Sequence, residues 1–234
     1  MNGTMPVKLA KWSLAMIVAP EESRAVELEK CLKSIAAYPD EVCITITAKD
    51  DSTPGAKAVE SVAKQFGAKV SYFEWIEDFS AARNFSFAQC HHDVVMWLDS
   101  DDTVESPQTL SKCIRQVFGK GEVDAIHSEY LYDFDEKGQC TTVLSRERIV
   151  DRRSFEWRAP IHELLCEKFQ TRPTRLPPQL GRIIHNHKRN DAAQKASLER
   201  NLRIIEHHYL PVDAGGLGKA CNERMLFYWA NTLL

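Results

Sequence analysis

The first 120 residues alternate between short apolar runs and segments with helical spacing. Apolar runs rich in β-branched residues predict strands at Ser13–Val18, Glu41–Thr47, Lys69–Phe73 and Asp93–Leu98. Between and after these runs, apolar residues recur every three or four positions, which predicts helices over residues 22–37, 56–66, 79–90 and 107–118. This alternation is typical of an α/β domain with a mostly parallel central sheet and helices on both faces.

The pattern changes after residue 122. Two alternating segments, Val123–Tyr132 and Thr141–Val150, flank a polar turn with Gly138 and predict a β-hairpin insertion. Short strands are expected at Glu163–Phe169 and Arg182–His185, and the prolines of residues 172–181 predict a loop.

Helical spacing returns from Asp191, and a final helix is expected over about Leu217–Leu234 without a stop signal. We therefore predict a main domain over residues 1–190, with halves at 1–122 and 123–190. A C-terminal helical extension follows over residues 191–234, and the missing stop signal indicates either a truncated end or packing of the last helix on another partner.

The composition is that of an ordinary globular protein. Of 234 residues, 44% are apolar and 27% are charged, and the net charge is −3. These values exclude disordered, collagen-like and coiled-coil classes. The longest early apolar run, Leu14–Ala19, is too short to cross a bilayer, so no transmembrane segment is expected. No signal peptide is recognisable, and the seven cysteines form no CxxC pair, which together predict a cytoplasmic protein with reduced thiols.

The charge is unevenly distributed along the chain. Residues 145–190 contain 11 basic and 5 acidic side chains, a local net charge of +6. Such a stretch indicates an anionic partner, such as a diphosphate or a nucleic-acid backbone, or else a solvated face.

The strongest local motif follows the fourth predicted strand. An apolar run ends directly in Asp99-Ser100-Asp101-Asp102. Two carboxylates separated by one residue at a strand end can bind Mg²⁺ or Mn²⁺, which complete their coordination with phosphate oxygens. The alternative is that these aspartates only cap a turn.

Several motifs, in this order, resemble one enzyme family. They are DFSAARN at residues 78–84, WLDSDD at 97–102, His162-Glu163 and His185. The series resembles the family 2 glycosyltransferases of the GT-A fold. It is most similar to the bacterial and phage branch that often carries a tetratricopeptide-like helical tail, and the resemblance extends over residues 14–209.

The resemblance implies a metal-dependent transfer of sugar from a nucleotide-diphosphate sugar, with a UDP-sugar as the family default. It assigns the metal, Mn²⁺ or Mg²⁺, to Asp99, Asp101 and His185, and the catalytic base to Glu163. The implied donor-binding residues are Ala19, Pro20, Glu21, Asp50, Asp51, Arg83, Asn84, Asp99, Ser100, Trp157 and His162. Residues 19–21 and the loop at 47–53 depart from the family pattern, which points to an altered nucleoside pocket.

The chemistry can also be argued from the residues. A carboxylate can remove the proton of the acceptor as the acceptor attacks the anomeric carbon. A single displacement of this kind inverts the configuration at that carbon. Glu163 could instead be a structural carboxylate paired with an arginine.

Three other functions are kept as alternatives. One is a sugar-nucleotide-binding module without catalysis, and another is a phage-type enzyme that glycosylates DNA. A nucleotidyltransferase is the third, although no glycine-rich phosphate loop follows the first strand. The acceptor is left open between protein, glycan and DNA or nucleotide, and the oligomeric state is not predicted.

Overall fold

The computed structural model describes residues 8–186 and 191–209, together with positions 224, 227, 228, 230 and 231. The strands within this part are β1 (Trp12–Val18), β2 (Glu41–Ile46), β3 (Lys69–Tyr72), β4 (Val94–Trp97), β5 (Asp102–Val104), β6 (Ala125–Phe134), β7 (Cys140–Asp151), β8 (Phe155–Arg158), β9 (Leu164–Glu167), β10 (Pro173–Arg175) and β11 (Ile183–His185). The helices are α1 (Glu22–Ile35), α2 (Pro54–Gln65), α3 (Phe79–Ala88), α4 (Pro107–Gly119) and α5 (Asp191–Tyr209).

Nine strands form one sheet. Eight of them follow the order β3-β2-β1-β4-β7-β6-β11-β5, and β10 pairs with β6. Strands β1 to β4 are parallel, whereas β7 runs antiparallel to both β4 and β6. The predicted hairpin is therefore built into the central sheet, and β8 and β9 pair separately. The carboxyl ends of β1, β2 and β4 share one edge, which is where ligands bind in sheets of this kind.

The sheet separates two layers of apolar side chains. Alternate residues of β1, such as Leu14 and Met16, pack with the buried faces of α1, α2 and α4. Ala15 points to the opposite face, where it packs with Phe87 of α3 and Trp157 of β8. Helices therefore cover both faces, as the sequence pattern predicted.

The predicted α/β order is confirmed, with element ends shifted by a few residues. The prediction that residues 172–181 form only a loop is wrong, because Pro173–Arg175 pair in parallel with β6 and residues 178–180 form a 3₁₀ turn. Strands β5 and β8 are also additional to the prediction. Strands of three or four residues show no periodicity and form because a neighbouring strand is available. The predicted final helix lies largely outside the described residues.

One glycine allows the loop after β1 to pack closely on α2. Gly55, at the start of α2, lies so close to the loop after β1 that a Cβ atom would sit 2.0 Å from the carbonyl oxygen of Pro20. Thr53 caps the same helix by accepting a hydrogen bond from the Ala56 amide at 3.1 Å. The backbone of Pro20 therefore rests directly on α2, which only glycine permits at this distance.

Among the described residues, no helix is both long enough and apolar enough to cross a bilayer.

Candidate active site

A cleft of about 640 Å³ opens at the carboxyl ends of β1 and β4. Its walls come from the loop after β1, from α1 and α3, from the segment after β4, and from α5. The lining residues are Ile17, Val18, Ala19, Pro20, Glu21, Arg24, Thr47, Trp75, Phe79, Arg83, Asp99, Ser100, Asp101, Tyr132, Ile161, His162, Glu163, His185, Arg200 and Asn201. Most of the predicted donor and metal residues therefore meet in one place.

Asp99 is held by two arginines. Its Oδ1 accepts a hydrogen bond from Arg83 at 2.8 Å, and its Oδ2 lies 3.9 Å from Arg148. Burial opposes ionisation of this carboxyl group, but the positive charges of Arg83 and Arg148 outweigh burial and lower the pKa of Asp99 to about 2. Asp99 is thus a permanent carboxylate at the base of the cleft.

Asp101 and His185 face each other across the cleft. The imidazole Nδ1 lies 3.7 Å from the Asp101 carboxylate, and Arg24 approaches that carboxylate to 3.5 Å. Burial and the neighbouring Asp99 charge raise the pKa of Asp101. Burial lowers the pKa of His185, but a hydrogen bond and the charges of Asp101 and Asp102 raise it overall.

A divalent cation fits this group of side chains. Asp101, Asp102 and His185 each offer a ligand atom, and these atoms all lie within 4.8 Å of one another. Two carboxylates with one imidazole suit Mn²⁺ in particular, while Mg²⁺ prefers oxygen ligands alone. The pKa of Asp101 is raised mainly by burial and by like charge, and a bound cation would relieve both effects.

Asp102 has an internal role that the motif did not reveal. Its side chain is fully buried, and its carboxylate accepts hydrogen bonds from Tyr130 at 2.9 Å, from Arg148 at 3.1 Å and from the Asp99 amide at 3.0 Å. The Arg148 guanidinium in turn lies over the rings of Trp97 and Tyr130, at 3.9 and 4.2 Å. Asp102 therefore fixes the turn that presents Asp99 and Asp101, while Asp101 and His185 face the cleft.

We expect Asp102→Asn to lower the free energy of unfolding by about 3 kcal/mol, since it leaves the buried Arg148 without its nearest counter-charge. Urea unfolding monitored by circular dichroism measures the change. The control is Asp93→Asn, because Asp93 pairs with Arg153 at 3.1 Å on the surface. An exposed pair of this kind contributes about 0–1 kcal/mol. Equal losses in the two variants would contradict the structural role of Asp102.

Arg83 links the two acidic parts of the site. Its Nε donates to Glu163 Oε1 at 2.7 Å, while its Nη2 binds Asp99. The guanidinium lies 4.9 Å from the ring centres of both Trp97 and Trp157. Burial alone would lower the pKa of Arg83, but the two carboxylates raise it, so this side chain is a fixed cation. The predicted base is thus held in an ion pair inside the protein.

A strained turn positions the His162-Glu163 pair. Ala159 and His162 both have positive φ angles, 73° and 51°. Non-glycine residues in this region cost about 1–3 kcal/mol each and persist only where the surroundings hold them. Here the Pro160 carbonyl accepts from the Phe79 amide at 2.8 Å, and the His162 ring stacks on Tyr228 with centroids 3.7 Å apart. Burial lowers the pKa of His162.

Four of the predicted donor residues lie away from the cleft lining. The Asn84 amide exchanges two hydrogen bonds of 2.9 Å with the backbone of Trp157, and the Trp157 ring is buried beneath Arg83. These two residues support the site from below. Asp50 and Asp51 are exposed on the loop after β2, from which Thr47 reaches the cleft.

The structure adds two cations to which the sequence assigned no function. Arg24 of α1 and Arg200 of α5 both line the cleft. Burial, and then the charge of Arg24, lowers the pKa of Arg200. Its buried Nε has no hydrogen-bond partner among the described residues. A desolvated arginine with an unsatisfied donor is suited to an anionic ligand.

Helix α5 reaches the cleft because it docks on the loop before α3. Arg203 donates to the Glu77 carboxylate at 2.9 Å, and His208 Nε2 lies 2.9 Å from the Glu77 carbonyl. Ile204 and Ile205 bury their side chains against Ile161 and Phe79. The sequence motif at residues 199–201 hinted at this helix, but no local pattern indicates which of its faces meets the cleft.

The basic stretch at 145–190 is largely paired. Seven of its arginines lie within 4.0 Å of a carboxylate oxygen: Arg146, Arg148, Arg152, Arg153, Arg158, Arg172 and Arg182. These contacts offset much of the local excess of charge. The stretch therefore gives little support to a nucleic-acid surface.

Comparison with known proteins places the chain in a family. The model of the family described as "Glycosyl transferase family 2" matches residues 16–171. The chain belongs to glycosyl transferase family 2. A TPR repeat-containing protein of Synechococcus elongatus is 37% identical to this family 2 chain over 159 residues, which is 67% of the chain and 36% of the relative. The chain thus corresponds to about a third of the length of that relative.

One solved structure in particular supports the fold. The mannosyltransferase PcManGT from Pyrobaculum calidifontis matches with a TM-score of 0.55 and 13% identity, over 96% of this chain and 74% of that one. TarS of S. aureus matches with a TM-score of 0.46 and 14% identity, over 95% of this chain and 43% of TarS. The predicted GT-A fold of this family 2 chain is confirmed.

Proposed function

We propose that this family 2 domain is a metal-dependent, inverting glycosyltransferase that uses a nucleotide-diphosphate sugar, with a UDP-sugar as the first candidate. One observation carries the proposal. A single cleft combines Asp99, Asp101 and His185 with two arginines, Arg24 and Arg200, at the edge where parallel strands end. The carboxylates can bind a divalent cation, and the arginines beside them can bind phosphate oxygens, so the cleft matches a metal-bound diphosphate.

The metal is proposed to bind Asp99, Asp101 and His185. Asp102 lies behind them and keeps the turn in place, since all its hydrogen bonds are to protein groups. When bound, Mn²⁺ or Mg²⁺ would neutralise charge on the departing diphosphate.

The diphosphate and the nucleoside of the donor are proposed to bind in different parts of the cleft. Arg24 and Arg200 bind diphosphate oxygens. The wall formed by Ala19, Pro20 and Glu21, with Thr47 beside it, receives the nucleoside. PcManGT was solved with GDP-Man and Mn²⁺, so guanine donors belong in any test alongside uracil donors.

Glu163 is proposed as the base. Its Oε1 is held by Arg83, which orients the carboxylate toward the cleft and leaves Oε2 as the oxygen that can accept a proton. The acceptor hydroxyl would lose its proton to Glu163 as it attacks the anomeric carbon, and the nucleoside diphosphate would leave from the opposite face. One displacement of this kind inverts the configuration.

The same ion pair favours a second candidate function. An ion pair with a buried arginine is also how a purely structural carboxylate is held inside a protein. A domain that binds sugar nucleotides without transferring the sugar would need Arg83 and Glu163 only as a structural pair. Such a module would bind the donor but release no nucleoside diphosphate from it.

Thermal unfolding with UDP, GDP and CDP, each with and without Mn²⁺, tests donor binding. A ligand at about 100 times its dissociation constant adds about 2.7 kcal/mol of stability, which for a chain of this size raises Tm by about 5–10 °C. We expect this rise with one nucleotide, and only when Mn²⁺ is present. If no nucleotide raises Tm in either condition, the proposed donor site is wrong.

A further inference from the structure

A second cluster of metal-binding side chains lies at the opposite end of the strands from the cleft. Glu41 is the first residue of β2, and Cys43 follows on the same face of that strand. Cys90 and His91 come directly after α3, in the link to β4. Ligand atoms of Glu41, Cys43 and Cys90 all lie within 4.8 Å of one another.

His91 lies beside this group, against Glu41. Its Nδ1 contacts Glu41 Oε1, and its backbone amide donates to Glu41 Oε2 at 2.8 Å. Its side chain is 73% exposed, whereas that of Glu41 is 13% exposed. The imidazole can therefore turn without disturbing the core, and it lies on the open side of the cluster.

We propose that Cys43, Cys90, Glu41 and His91 form a structural Zn²⁺ site. Zinc prefers four tetrahedral ligands of sulfur, nitrogen and carboxylate oxygen. At Zn–S and Zn–O distances of about 2.3 and 2.1 Å, neighbouring ligand atoms are about 3.4–3.8 Å apart. The three atoms within 4.8 Å need only a small contraction to reach this geometry.

Both proposed cysteine ligands are buried. Cys43 and Cys90 are 1% and 4% exposed and pack among apolar side chains such as Phe87 and Val95. Each thiol lies 3.7 Å from a backbone carbonyl of α3 or the residue after it, Gln89 for Cys43 and Ser86 for Cys90. Metal binding would displace the thiol protons. A Cys43–Cys90 disulfide would use the two sulfurs alone, and Glu41 would then only accept hydrogen bonds from the Ser13 hydroxyl at 2.7 Å and from the His91 amide.

The zinc would join the start of β2 to the end of α3. Helix α3 also carries Arg83, which holds Asp99 and Glu163. The ion would thereby anchor the helix on which the cleft depends, from a position outside the cleft. This inference does not rest on the proposed function.

Cobalt titration of the full, reduced chain tests the site. Thiolate-bound Co²⁺ shows a sulfur-to-cobalt charge-transfer absorption, and we expect it to saturate at one equivalent and to disappear when Zn²⁺ is added. Cys43→Ala and Cys90→Ala should each lose it. Cys31→Ala, which removes a thiol that is equally buried in α1, should keep it. Asp101→Asn should keep it too, which separates this site from the cleft.

Variants of the two other proposed ligands guard against loss of folding in the cysteine variants. Glu41→Gln and His91→Ala should keep the fold and weaken Co²⁺ binding. Absence of the absorption from the reduced wild-type chain would overturn the proposal, as would its retention in both cysteine variants. Unchanged Co²⁺ affinity in both Glu41→Gln and His91→Ala would also overturn the proposal, as would a Cys43–Cys90 disulfide in protein purified with Zn²⁺.

Discussion

Asp101→Asn should reduce the rate of nucleoside diphosphate release from the donor sugar by about 10³-fold or more. A cation that neutralises the leaving group contributes several kcal/mol to the transition state, and about 4 kcal/mol corresponds to 10³-fold. Asp101 faces His185 inside the cleft and is the carboxylate whose pKa burial and like charge raise. The variant should also lose the rise in Tm that requires Mn²⁺. Kinetics of nucleotide release and thermal unfolding measure the two effects.

The matched control for Asp101→Asn lies at the other end of β4. Asp93 precedes β4 at the end remote from the cleft and pairs with Arg153 on the surface. Asp93→Asn should retain both the activity and the Mn²⁺-dependent rise in Tm. Metal-dependent donor binding that persists in Asp101→Asn would remove Asp101 from the metal site and leave the motif a turn.

Glu163→Gln should lower kcat by about 10³-fold, within the range of 10²–10⁴ for loss of a general base. The amide keeps an oxygen that can accept from Arg83 Nε, so the ion-pair geometry is largely preserved and the protein should remain folded. Donor affinity should change little, because the base acts on the acceptor. Nucleotide titration for affinity and product release for kcat separate the two parameters.

Glu156→Gln is the control for this change. Glu156 lies on β8, seven positions before Glu163, and its side chain pairs with Arg158 on the surface. It should have wild-type kinetics. If Glu163→Gln also keeps wild-type kcat, Glu163 is a structural partner of Arg83 and another group removes the proton. If the wild-type chain binds the donor but releases no product, the module without catalysis is the better description.

The Asp101→Asn and Glu163→Gln variants test two different properties of the cleft. The first variant tests how the donor diphosphate is held, and the second tests whether the bound donor reacts. Loss of donor binding in Glu163→Gln would mean that Arg83, without its charged partner, no longer holds Asp99 in place. Arg83 could transmit this effect because it also donates a hydrogen bond to Asp99 at 2.8 Å.

The sequence by itself determined the architecture and the location of the site. Alternation of apolar runs and helical spacing reports burial on a sheet or on a helix face, and this information is local. The run from Val94 to Leu98 ending in Asp99 therefore indicated both a buried strand and carboxylates at its end. The motif at residues 78–84, whose segment resembles one family, predicted a donor-binding role for Arg83, and the structure places Arg83 in the cleft lining.

Only the tertiary structure decided which side chains meet. Arg83 and Glu163 are 80 positions apart in the chain, and Tyr130 and Asp102 are 28 apart. No local period encodes such pairs, since they depend on strand order and on the docking of α5. For the same reason the sequence did not show that Arg24 and Arg200 line the cleft, or that Asn84 and Trp157, which were predicted to bind the donor, lie beneath it. Asp102 is fully buried, and a buried charge must be satisfied by protein groups. The structure therefore shows that Asp102 stabilises the turn that carries Asp99 and Asp101, which the motif alone did not reveal.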